Sequence, residues 1–350
     1  MSSYTVTRTL VNCNQVIIEL NTATPSFEGL HDITMTDLPP RRKPHLIMAP
    51  EDRISTPHIL VDPDKVVAII ESDHPAQTQP NAPENDASKA IVANLTDFLE
   101  HEVNHGRLPK SLLPIQSGID NIANAVVLQD SFLDLFDSGN LDFATATTIR
   151  FSPDGFKRFY DGWERYFDKL LLRSQQVSNS PEIICRLGVI GMNTPVEVDI
   201  YAHANSTCVM GLRMLNRLWG SADFLRSARY SIMHTPSIRP TKKDPTGVSC
   251  IVPMCTHIDQ TEHDLDVVVT EQVHSPTAPS ATIIARTRDH QEDSTSGLQT
   301  NLATLTEPNL VFYRHCLKRA WGHEPHRLWQ TLKMHKKLDE KGTMKITSWD

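Results

Sequence analysis

Histidine and acidic side chains lie close together in residues 257–264, and their types are those of a metal site. The side chains concerned are His257, Asp259, Glu262, His263 and Asp264. Imidazole and carboxylate groups bind several divalent metals, but these residue types without a defined ligand spacing are weak grounds for a metal centre. We therefore expect a polar turn that leads into a strand at 265–270, and no metal site.

Two further polar groups have both a chemical and a structural explanation. The segment His323-Glu324-Pro325-His326 has the residue types of acid/base catalysis, but Pro325 alone would break a helix there. A basic cluster near the C-terminus could attract phosphate groups, although a solvated helix face explains the same residues. This basic cluster consists of Lys333, Lys336, Lys337 and Lys341. We expect the structural explanation in both cases.

Alternating strand and helix patterns predict an α/β fold that positions these groups. The β-branched runs at 14–20 and 65–71, each bounded by turn residues, are typical of buried strands in an α/β sheet. Apolar residues at helical spacing predict a helix at 87–105, and Ser152-Pro153-Asp154 is a start signal for a helix at 156–172. Further predicted strands are 196–202, 230–234, 249–253 and 265–270, and further predicted helices are 221–229 and 310–341, the last interrupted at 322–325.

Two segments depart from this alternation. Residues 72–88 are polar and contain proline, which indicates a linker between domains. Residues 273–306 are rich in Ser, Thr and Ala and have few large apolar side chains. Such a composition predicts a long disordered loop, because it cannot bury enough apolar surface to offset the entropy of ordering.

The composition of the 350-residue chain is that of a globular protein with an acidic balance. Hydrophobic residues make up 39%, and the formal net charge is -8. This charge argues against a nucleic-acid-binding surface, and no apolar run has the length of a membrane span. The six cysteines form no CxxC pair, so we expect reduced thiols. Since the first residues lack a secretory or transit pattern, the cytoplasm is the expected location of this chain.

Six long segments carry a family resemblance. They are FEGLHDI (27–33), PNAPENDASKAI (80–91), LLRSQQVSNSPEII (171–184), GVIGMNTPVEVDIYAHANST (188–207), GSADFLRSARYSIMHTPS (220–237) and HIDQTEHDLDVVVTEQ (257–272). With these segments and with its C-terminal sequence, the chain resembles the acetyl-CoA hydrolase/acetate CoA-transferase family, in particular its fungal members. The resemblance covers most of the chain except 273–306.

The resemblance implies two tandem α/β domains of the CoA-transferase type and a covalent mechanism. A glutamate carboxylate attacks the acyl-CoA, and the returning CoA thiolate forms a glutamyl-CoA thioester that water or a second carboxylate resolves. The implied activity is acetyl-CoA hydrolysis or CoA transfer to acetate or another short carboxylate. The implied substrates are acetyl-CoA and coenzyme A, with no permanently bound cofactor. Members of the family act in acetate and acetyl-CoA metabolism, often in the mitochondrion.

The catalytic glutamate of the family has no counterpart in this chain. In the proteins that it resembles, the glutamate would lie immediately before the position of Val127, where this chain has Val126. We therefore assign no catalytic residue and expect that no glutamyl-CoA forms. Three other carboxylates in the same segments are Asp120, Asp130 and Glu271. None is expected to replace the glutamate, because a displacement of even about 1 Å is costly for a nucleophile.

Two glycine-bearing stretches match positions that contact CoA in the family. The first runs from 118 to 122, and its third residue is Asp120 where the family has glycine. Glycine allows positive φ and close backbone approach, whereas Asp120 adds a negative charge beside an anionic ligand. In the second stretch, Arg217 and Trp219 replace family glycines. The resemblance assigns CoA contacts to Gly118, Ile119, Asp120, Asn121, Ile122, Asn216 and Gly220.

The resemblance also suggests a domain division. Residues 1–84 are interpreted as the C-terminal remnant of a first CoA-transferase domain plus a linker, and residues 85–350 as the second domain. The second domain would carry an internal deletion before Val127 and a divergent segment at 273–306. Because most of the first domain would lie upstream of Met1, the strand at 14–20 should lack partners. Uncovered apolar faces favour association, so we expect poor solubility.

Three hypotheses follow for the chain as written. In the first, it is an incomplete record of an active acyl-CoA hydrolase/transferase. In the second, it is a catalytically inactive protein that binds CoA, forms a homo-oligomer or pairs with a full-length relative. In the third, it is a degraded copy without function. Binding of CoA, or co-purification with a relative, in the absence of turnover would distinguish the second hypothesis from the other two.

Overall fold

The computed structural model describes residues 13–24, 26–34, 40, 43–74, 85–117, 130–199, 201–209, 213–215, 220–245, 247–271 and 327–344. The chain divides into two compact units, the first from 1–82 and 124–186 and the second from 83–123 and 187–350. These units follow spatial packing, and the predicted family-domain boundary between residues 84 and 85 stays a prediction. The predictions for 118–122, 126–127, Asn216, 273–306 and 323–326 lie outside the described residues.

The elements are named here in chain order. The strands are β1 (Val16–Asn21), β2 (His31–Asp32), β3 (Val66–Ser72), β4 (Ile115–Ser117), β5 (Ala144–Ala146), β6 (Leu170–Arg173), β7 (Ile190–Asn193), β8 (Glu197–Asp199), β9 (Ala204–Asn205), β10 (Cys208–Val209), β11 (Arg213–Met214), β12 (Tyr230–His234), β13 (Ile238–Arg239), β14 (Val248–Ser249), β15 (Ile251–Val252) and β16 (Val267–Val269). The helices are α1 (Asp86–Asn104), α2 (Asp130–Asp137), α3 (Pro153–Asp161), α4 (Trp163–Tyr166), α5 (Gln175–Ser178), α6 (Pro181–Leu187), α7 (Ser221–Ser227) and α8 (Leu328–Lys341).

The first unit contains a two-stranded parallel ribbon made of β1 and β3. The positions of both strands confirm the predictions at 14–20 and 65–71. The expectation that the first strand lacks a partner is wrong, because β1 pairs with β3 along its length. The expectation of burial is also wrong, since most side chains of both strands are exposed. A β-branched run predicts an extended backbone, but burial depends on what packs against its faces.

The first unit also contains a three-stranded parallel sheet in the order β2-β6-β5. Its core is dominated by aromatic side chains of the helices that precede β6, together with the strand residues Leu170 and Leu172. Phe159 and Tyr166 stack with ring centroids 6.0 Å apart. Asp32 ends β2 and Arg173 ends β6, and both side chains are buried. The Arg173 Nε atom lies 3.7 Å from Asp32 Oδ2.

The predicted helix at 156–172 is wrong in its second half. The start signal is confirmed, because Ser152 caps α3 by accepting a hydrogen bond from the Gly155 backbone N–H at 3.0 Å. The helix ends at Gly162, and after α4 the chain enters β6. All four β6 residues are buried, as expected of a central strand that is covered on both faces. A run of three leucines fits either element, and the pairing partners on both sides of β6 decided in favour of the strand.

The second unit is built on a four-stranded sheet in the order β16-β12-β7-β4, with every neighbouring pair parallel. Helix α1 confirms the prediction at 87–105 and packs against one face of this sheet through Ile91, Phe98 and Leu99. An apolar cluster that includes Leu225 of α7 and Met334 of α8 contains the alternate residues Met233 and Val268. The sheet therefore has an apolar layer on both faces.

A second, three-stranded sheet in this unit has the order β15-β8-β9. The predicted strand at 196–202 is shortened to β8, because Ala202 adopts a positive φ of 67° and the chain turns there. The predicted strand at 249–253 is split between β14 and β15, whereas 230–234 and 265–270 are confirmed as β12 and β16. Among the described residues, no helix is both long and apolar enough to cross a membrane.

Candidate functional site at the carboxyl edge of the four-stranded sheet

The carboxyl ends of β4, β7, β12 and β16 lie at one edge, because these strands are parallel. In open α/β sheets, ligands bind in the crevice outside such an edge. Ser117, the last residue of β4, lies at this edge, and the stretch 118–122, to which the family resemblance assigns CoA contacts, follows it directly in the sequence. The geometry of 118–122 itself lies outside the described residues.

Two amide side chains pair at the ends of β4 and β7. Asn193 Nδ2 donates to Gln116 Oε1 at 3.1 Å, and Gln116 Nε2 donates to Asn193 Oδ1 at 3.4 Å. Both side chains are buried. β4 and β7 also pair through their backbones, so this amide pair adds a side-chain link between the ends of the two strands.

The ends of β7 and β12 are joined by a second polar contact. Thr194 Oγ1 lies 3.0 Å from His234 Nδ1, and the His234 side chain is buried. Arg239 Nη2 donates to the Pro195 carbonyl at 2.8 Å and to Thr235 Oγ1 at 3.1 Å. The loops after the two central strands are thus tied to each other by hydrogen bonds.

The carboxylate of Glu271 lies just beyond β16 and accepts two hydrogen bonds from Ser237. Ser237 donates its backbone N–H to Glu271 Oε2 at 2.7 Å and its hydroxyl to Glu271 Oε1. Asp130, in the first unit, is held in the same way by the backbone N–H and the hydroxyl of Ser152. Both carboxylates therefore have structural partners, and the statement that neither replaces the family glutamate stays a prediction. Asp120 lies outside the described residues.

Gly220 is the one described residue of the predicted CoA contacts. It precedes α7, and its carbonyl accepts a hydrogen bond from the Phe224 backbone N–H at 3.2 Å. The other six, Gly118, Ile119, Asp120, Asn121, Ile122 and Asn216, lie outside the described residues. Their assignment to CoA contacts stays a prediction.

Side chains of the segment 257–264 form hydrogen bonds with neighbouring residues, and the expectation that the segment holds no metal stays a prediction. No group of three or more candidate metal ligands occurs among the described residues. Asp259 accepts hydrogen bonds from the Ser206 backbone N–H at 2.7 Å and from the Thr207 hydroxyl at 2.9 Å. The segment is the polar turn before β16 that the sequence predicts.

Two groups near this segment, the His203 imidazole and the Cys255 thiol, have shifted pKa values. His203 lies between two carboxylates, with Nδ1 3.0 Å from Asp199 Oδ2 and Nε2 2.8 Å from Glu262 Oε2. The hydrogen bond with Asp199 raises the pKa of His203. Burial raises the pKa of the Cys255 thiol well above its ordinary value, and neighbouring Asp199 adds to this effect. A buried thiol with a raised pKa is typical of an unreactive cysteine.

Sequence reasoning missed most side chains of this edge. Gln116, Asn193, His234 and Ser237 occur within or beside apolar runs and belong to no short motif. His234 ends a predicted strand, and that position is a signal that could have found it, whereas the strands that carry Gln116 and Asn193 were not predicted. Because parallel strands end at the same edge, terminal polar residues of successive strands are brought together.

Comparisons with known proteins agree with this architecture. Residues 2–71 match the family model of the acetyl-CoA hydrolase/transferase N-terminal domain, and residues 155–273 match that of the C-terminal domain. An acetyl-CoA hydrolase of Neurospora crassa is 59% identical over 353 residues, which cover 95% of this chain and 66% of the relative. An acetyl-CoA hydrolase of Saccharomyces cerevisiae is 53% identical, over 96% of this chain and 67% of the relative. The chain thus spans about two thirds of the length of the curated relatives that it matches.

Solved structures share the fold at low sequence identity. RipA from Yersinia pestis superposes with a TM-score of 0.51 at 19% identity, over 70% of this chain and 55% of that one. A 4-hydroxybutyrate CoA-transferase from Porphyromonas gingivalis superposes with a TM-score of 0.51 at 18% identity, over 85% of this chain and 64% of that one. At such identities the likeness concerns the fold alone.

Proposed function

This chain belongs to the acetyl-CoA hydrolase/transferase family, and from that premise we propose that it binds acetyl-CoA or another short acyl-CoA without forming a glutamyl-CoA intermediate. The observation that carries the first half of the proposal is the identity of 53–59% to acetyl-CoA hydrolases over 95–96% of this chain. In this proposal, the activity of the family from which the chain descends is acetyl-CoA hydrolysis or CoA transfer to acetate. The chain as written is expected to be inactive or severely impaired.

The proposed binding site is the carboxyl edge of the four-stranded sheet. Polar side chains with fixed orientations surround this edge, among them the amide pair of Gln116 and Asn193. The stretch 118–122 continues from β4 at the same place, and Gly220 precedes α7, which contacts both β7 and β12.

The missing nucleophile is the reason for proposing binding without turnover. A glutamate would have to attack the thioester carbonyl and release the CoA thiolate, but the chain passes directly from Val126 to Val127. Glu271 and Asp130 already accept two hydrogen bonds each from a serine. Moving either carboxylate to a thioester would leave those donors unpaired, which costs about 1–3 kcal/mol for a buried group.

Three measurements on one preparation test the proposal. Calorimetry with CoA and acetyl-CoA measures binding, a thiol-specific dye measures release of CoA, and borohydride or hydroxylamine traps any glutamyl-CoA for mass spectrometry. We expect binding, no thiol release above background and no adduct. A site-specific adduct would contradict the statement that the chain forms no glutamyl-CoA. Absence of binding to both CoA and acetyl-CoA would overturn the proposal as a whole.

A second candidate function is subunit pairing by a catalytically inactive chain. The exposed apolar side chains of the β1–β3 ribbon favour it, because an uncovered parallel ribbon is a surface for association. The pairing would be with a second copy or with a full-length relative. Co-expression with a tagged full-length relative, followed by affinity purification and measurement of native mass, tests both forms of pairing. A monomer that never co-purifies would exclude this candidate.

The internal deletion is part of the same proposal and has its own test. Sequencing of the transcript across the codons of Val126, Val127 and 273–306 will show whether the encoded protein has the sequence given. An inserted glutamate codon before Val127 would restore the family nucleophile and predict an active hydrolase. An identical transcript would leave the binding proposal as stated.

A further inference from the structure

The side chain of Gln260 links two stretches of chain that lie on either side of Gly220 in the sequence. Its Nε2 donates to the Ser221 hydroxyl at 3.2 Å, and its Oε1 accepts from the Ser206 hydroxyl at 3.4 Å. Gln260 is 0% exposed, so water cannot substitute for these partners. One amide thus joins the first residue of α7 to the turn that follows β9.

The backbone of Gln260 is fixed as firmly as its side chain. Gln260 N–H donates to the Ala204 carbonyl at 3.1 Å, and the Gln260 carbonyl accepts from Ala204 N–H at 2.9 Å. This reciprocal pair anchors residue 260 to β9, which belongs to the three-stranded sheet. The backbone of Gln260 is therefore held by the three-stranded sheet. Through the hydrogen bond from its amide, Gln260 connects Ser221 to that sheet.

Asp259 makes a parallel connection to the chain before Gly220. Its carboxylate accepts from the Ser206 N–H at 2.7 Å and from the Thr207 hydroxyl at 2.9 Å. The Thr207 carbonyl in turn accepts from the Leu215 N–H at 2.8 Å. The last described residue before the 216–219 stretch is therefore tied to Asp259, and the first helical residue after it is tied to Gln260.

Asp264 adds a third connection, further along α7. Arg226 Nε donates to Asp264 Oδ1 at 3.2 Å, and the Thr261 hydroxyl donates to Asp264 Oδ2 at 3.2 Å. Asp259, Gln260 and Asp264 of the segment 257–264 thus contact α7 and the chain that leads to it. The carboxylates of Asp259 and Asp264, which resemble metal ligands in the sequence, accept hydrogen bonds here.

We propose that Gln260, supported by Asp259, is a positioning residue that holds Gly220 at the geometry required for CoA binding. The inference rests on the proposed function, because the role of Gly220 in CoA contact comes from the family resemblance. Gln260 does not touch the ligand in this proposal. It acts through Ser221, whose backbone follows Gly220 directly.

The test compares Gln260→Met with a control in the same unit. Methionine has nearly the length and volume of glutamine, so the substitution removes the two side-chain hydrogen bonds with little change in packing. The control is Glu102→Gln, which removes the ion pair of the buried Glu102 with the partly exposed Arg107 at the end of α1. Glu102 also contacts Tyr230 at the start of β12, the opposite end of that strand from the candidate site. Calorimetry measures the CoA dissociation constant of all three full-length proteins.

We expect Gln260→Met to weaken CoA binding about tenfold, the equivalent of roughly one hydrogen bond, and Glu102→Gln to leave it within about twofold. We expect a change in unfolding temperature in both variants. If the role of Gln260 were purely structural, the two variants would therefore have similar affinities for CoA. Equal affinities for Gln260→Met and the unsubstituted protein would overturn the proposal.

Hydrogen exchange separates this inference from the function on which it rests. Mass spectrometry of peptides that span residues 213–222 reports the backbone around Gly220 without any ligand. Faster exchange in Gln260→Met but not in Glu102→Gln supports positioning even if the unsubstituted protein fails to bind CoA, a result that would overturn only the proposed function. Unchanged exchange in Gln260→Met would overturn the inference whatever the affinity.

Discussion

The β1–β3 ribbon and the four-stranded sheet are both parallel and both rich in β-branched residues, but they differ in what covers them. In the sheet, Ile232 belongs to the apolar cluster of α1, and the next residue, Met233, belongs to the cluster of α7 and α8. Successive side chains of a strand point to opposite faces, so both faces of β12 are packed. In the ribbon, Ile69 is 67% exposed and its neighbour Ile70 is 51% exposed.

This comparison separates strand formation from burial. Pairing of β1 with β3 satisfies backbone donors and acceptors whether or not the faces are covered. Covering the faces requires helices or further strands, and in the second unit α1 covers one face of the sheet while α7 and α8 contribute to the apolar cluster on the other. The covered sheet has a polar carboxyl edge suited to a ligand, whereas the ribbon has an apolar surface suited to another polypeptide.

The largest expected effect comes from truncating the same residue type in the two regions. Ile232→Ala in the centre of the sheet should lower the free energy of unfolding by about 3 kcal/mol, because it leaves a cavity between β12 and α1. Ile69→Ala in the ribbon should change it by less than about 0.5 kcal/mol. Urea denaturation followed by circular dichroism measures both. Equal effects would mean that the ribbon is covered in solution.

A smaller loss is expected when a buried charge of the covered region is neutralised. Glu102 accepts hydrogen bonds from Arg107 Nε at 2.6 Å and from the Tyr230 hydroxyl at 2.5 Å. The contact with Arg107 lowers the pKa of Glu102 to about 2. Glu102→Gln should therefore lower the free energy of unfolding by about 2 kcal/mol at neutral pH.

The pH dependence of this loss checks its cause. Because the folded pKa of Glu102 lies below its ordinary value, its contribution is present above that ordinary value and disappears as the pH falls toward about 2. The unsubstituted protein and Glu102→Gln should thus converge in stability as acid is added. The exposed pair of Lys336 and Glu340 offers a control, since Glu340→Gln should change neither stability nor its pH profile.

Two histidines of the second unit should respond to pH in opposite directions. The contact with Asp199 raises the pKa of His203, so its contribution is present below the ordinary histidine pKa and is lost as the pH rises through the folded value. Burial lowers the pKa of His335, whose Nε2 lies 2.8 Å from the Met254 carbonyl. Its protonation is therefore disfavoured in the folded state, and stability falls as the pH drops below the ordinary value.

Thermal unfolding between about pH 5 and pH 8 distinguishes the two histidines. His203→Gln should lower stability most at the acid end of this range. His335→Gln should flatten the loss that the unsubstituted protein shows on acidification, because glutamine keeps a donor but does not titrate. Each effect should be about 1 kcal/mol, and identical pH profiles for the two variants would contradict the assignment.

The smallest effect on stability, and the largest on association, is expected in the ribbon. Ile17→Thr combined with Ile69→Thr keeps β-branched residues in both strands while making the exposed surface more polar. We expect the variant to show less concentration-dependent association by light scattering and an unchanged unfolding temperature. A monodisperse, monomeric unsubstituted protein would contradict the expected association.

The predictions that were confirmed are those on which local pattern and tertiary packing agree. Helix α1 has an apolar face at helical spacing and a capping box in which Asn85 and Ser88 exchange hydrogen bonds, so its limits are encoded locally. The predicted helix at 156–172 failed where Leu170 to Leu172 lie, because a run of leucines has no periodicity. Pairing with β2 and β5, which are distant in sequence, made that run a strand.

The amino-acid sequence by itself determined the family and the α/β class, because the family segments and the alternation of strand and helix patterns depend on the order of residues. The tertiary structure alone decided which strands are covered, which polar residues meet at the carboxyl edge, and that Gln260 contacts both Ser206 and Ser221. Those contacts join residues tens of positions apart, and only the packing of helices on the sheets sets their distances. For the same reason, the β-branched pattern of β1 and β3 could not predict whether the side chains of the ribbon are buried or exposed.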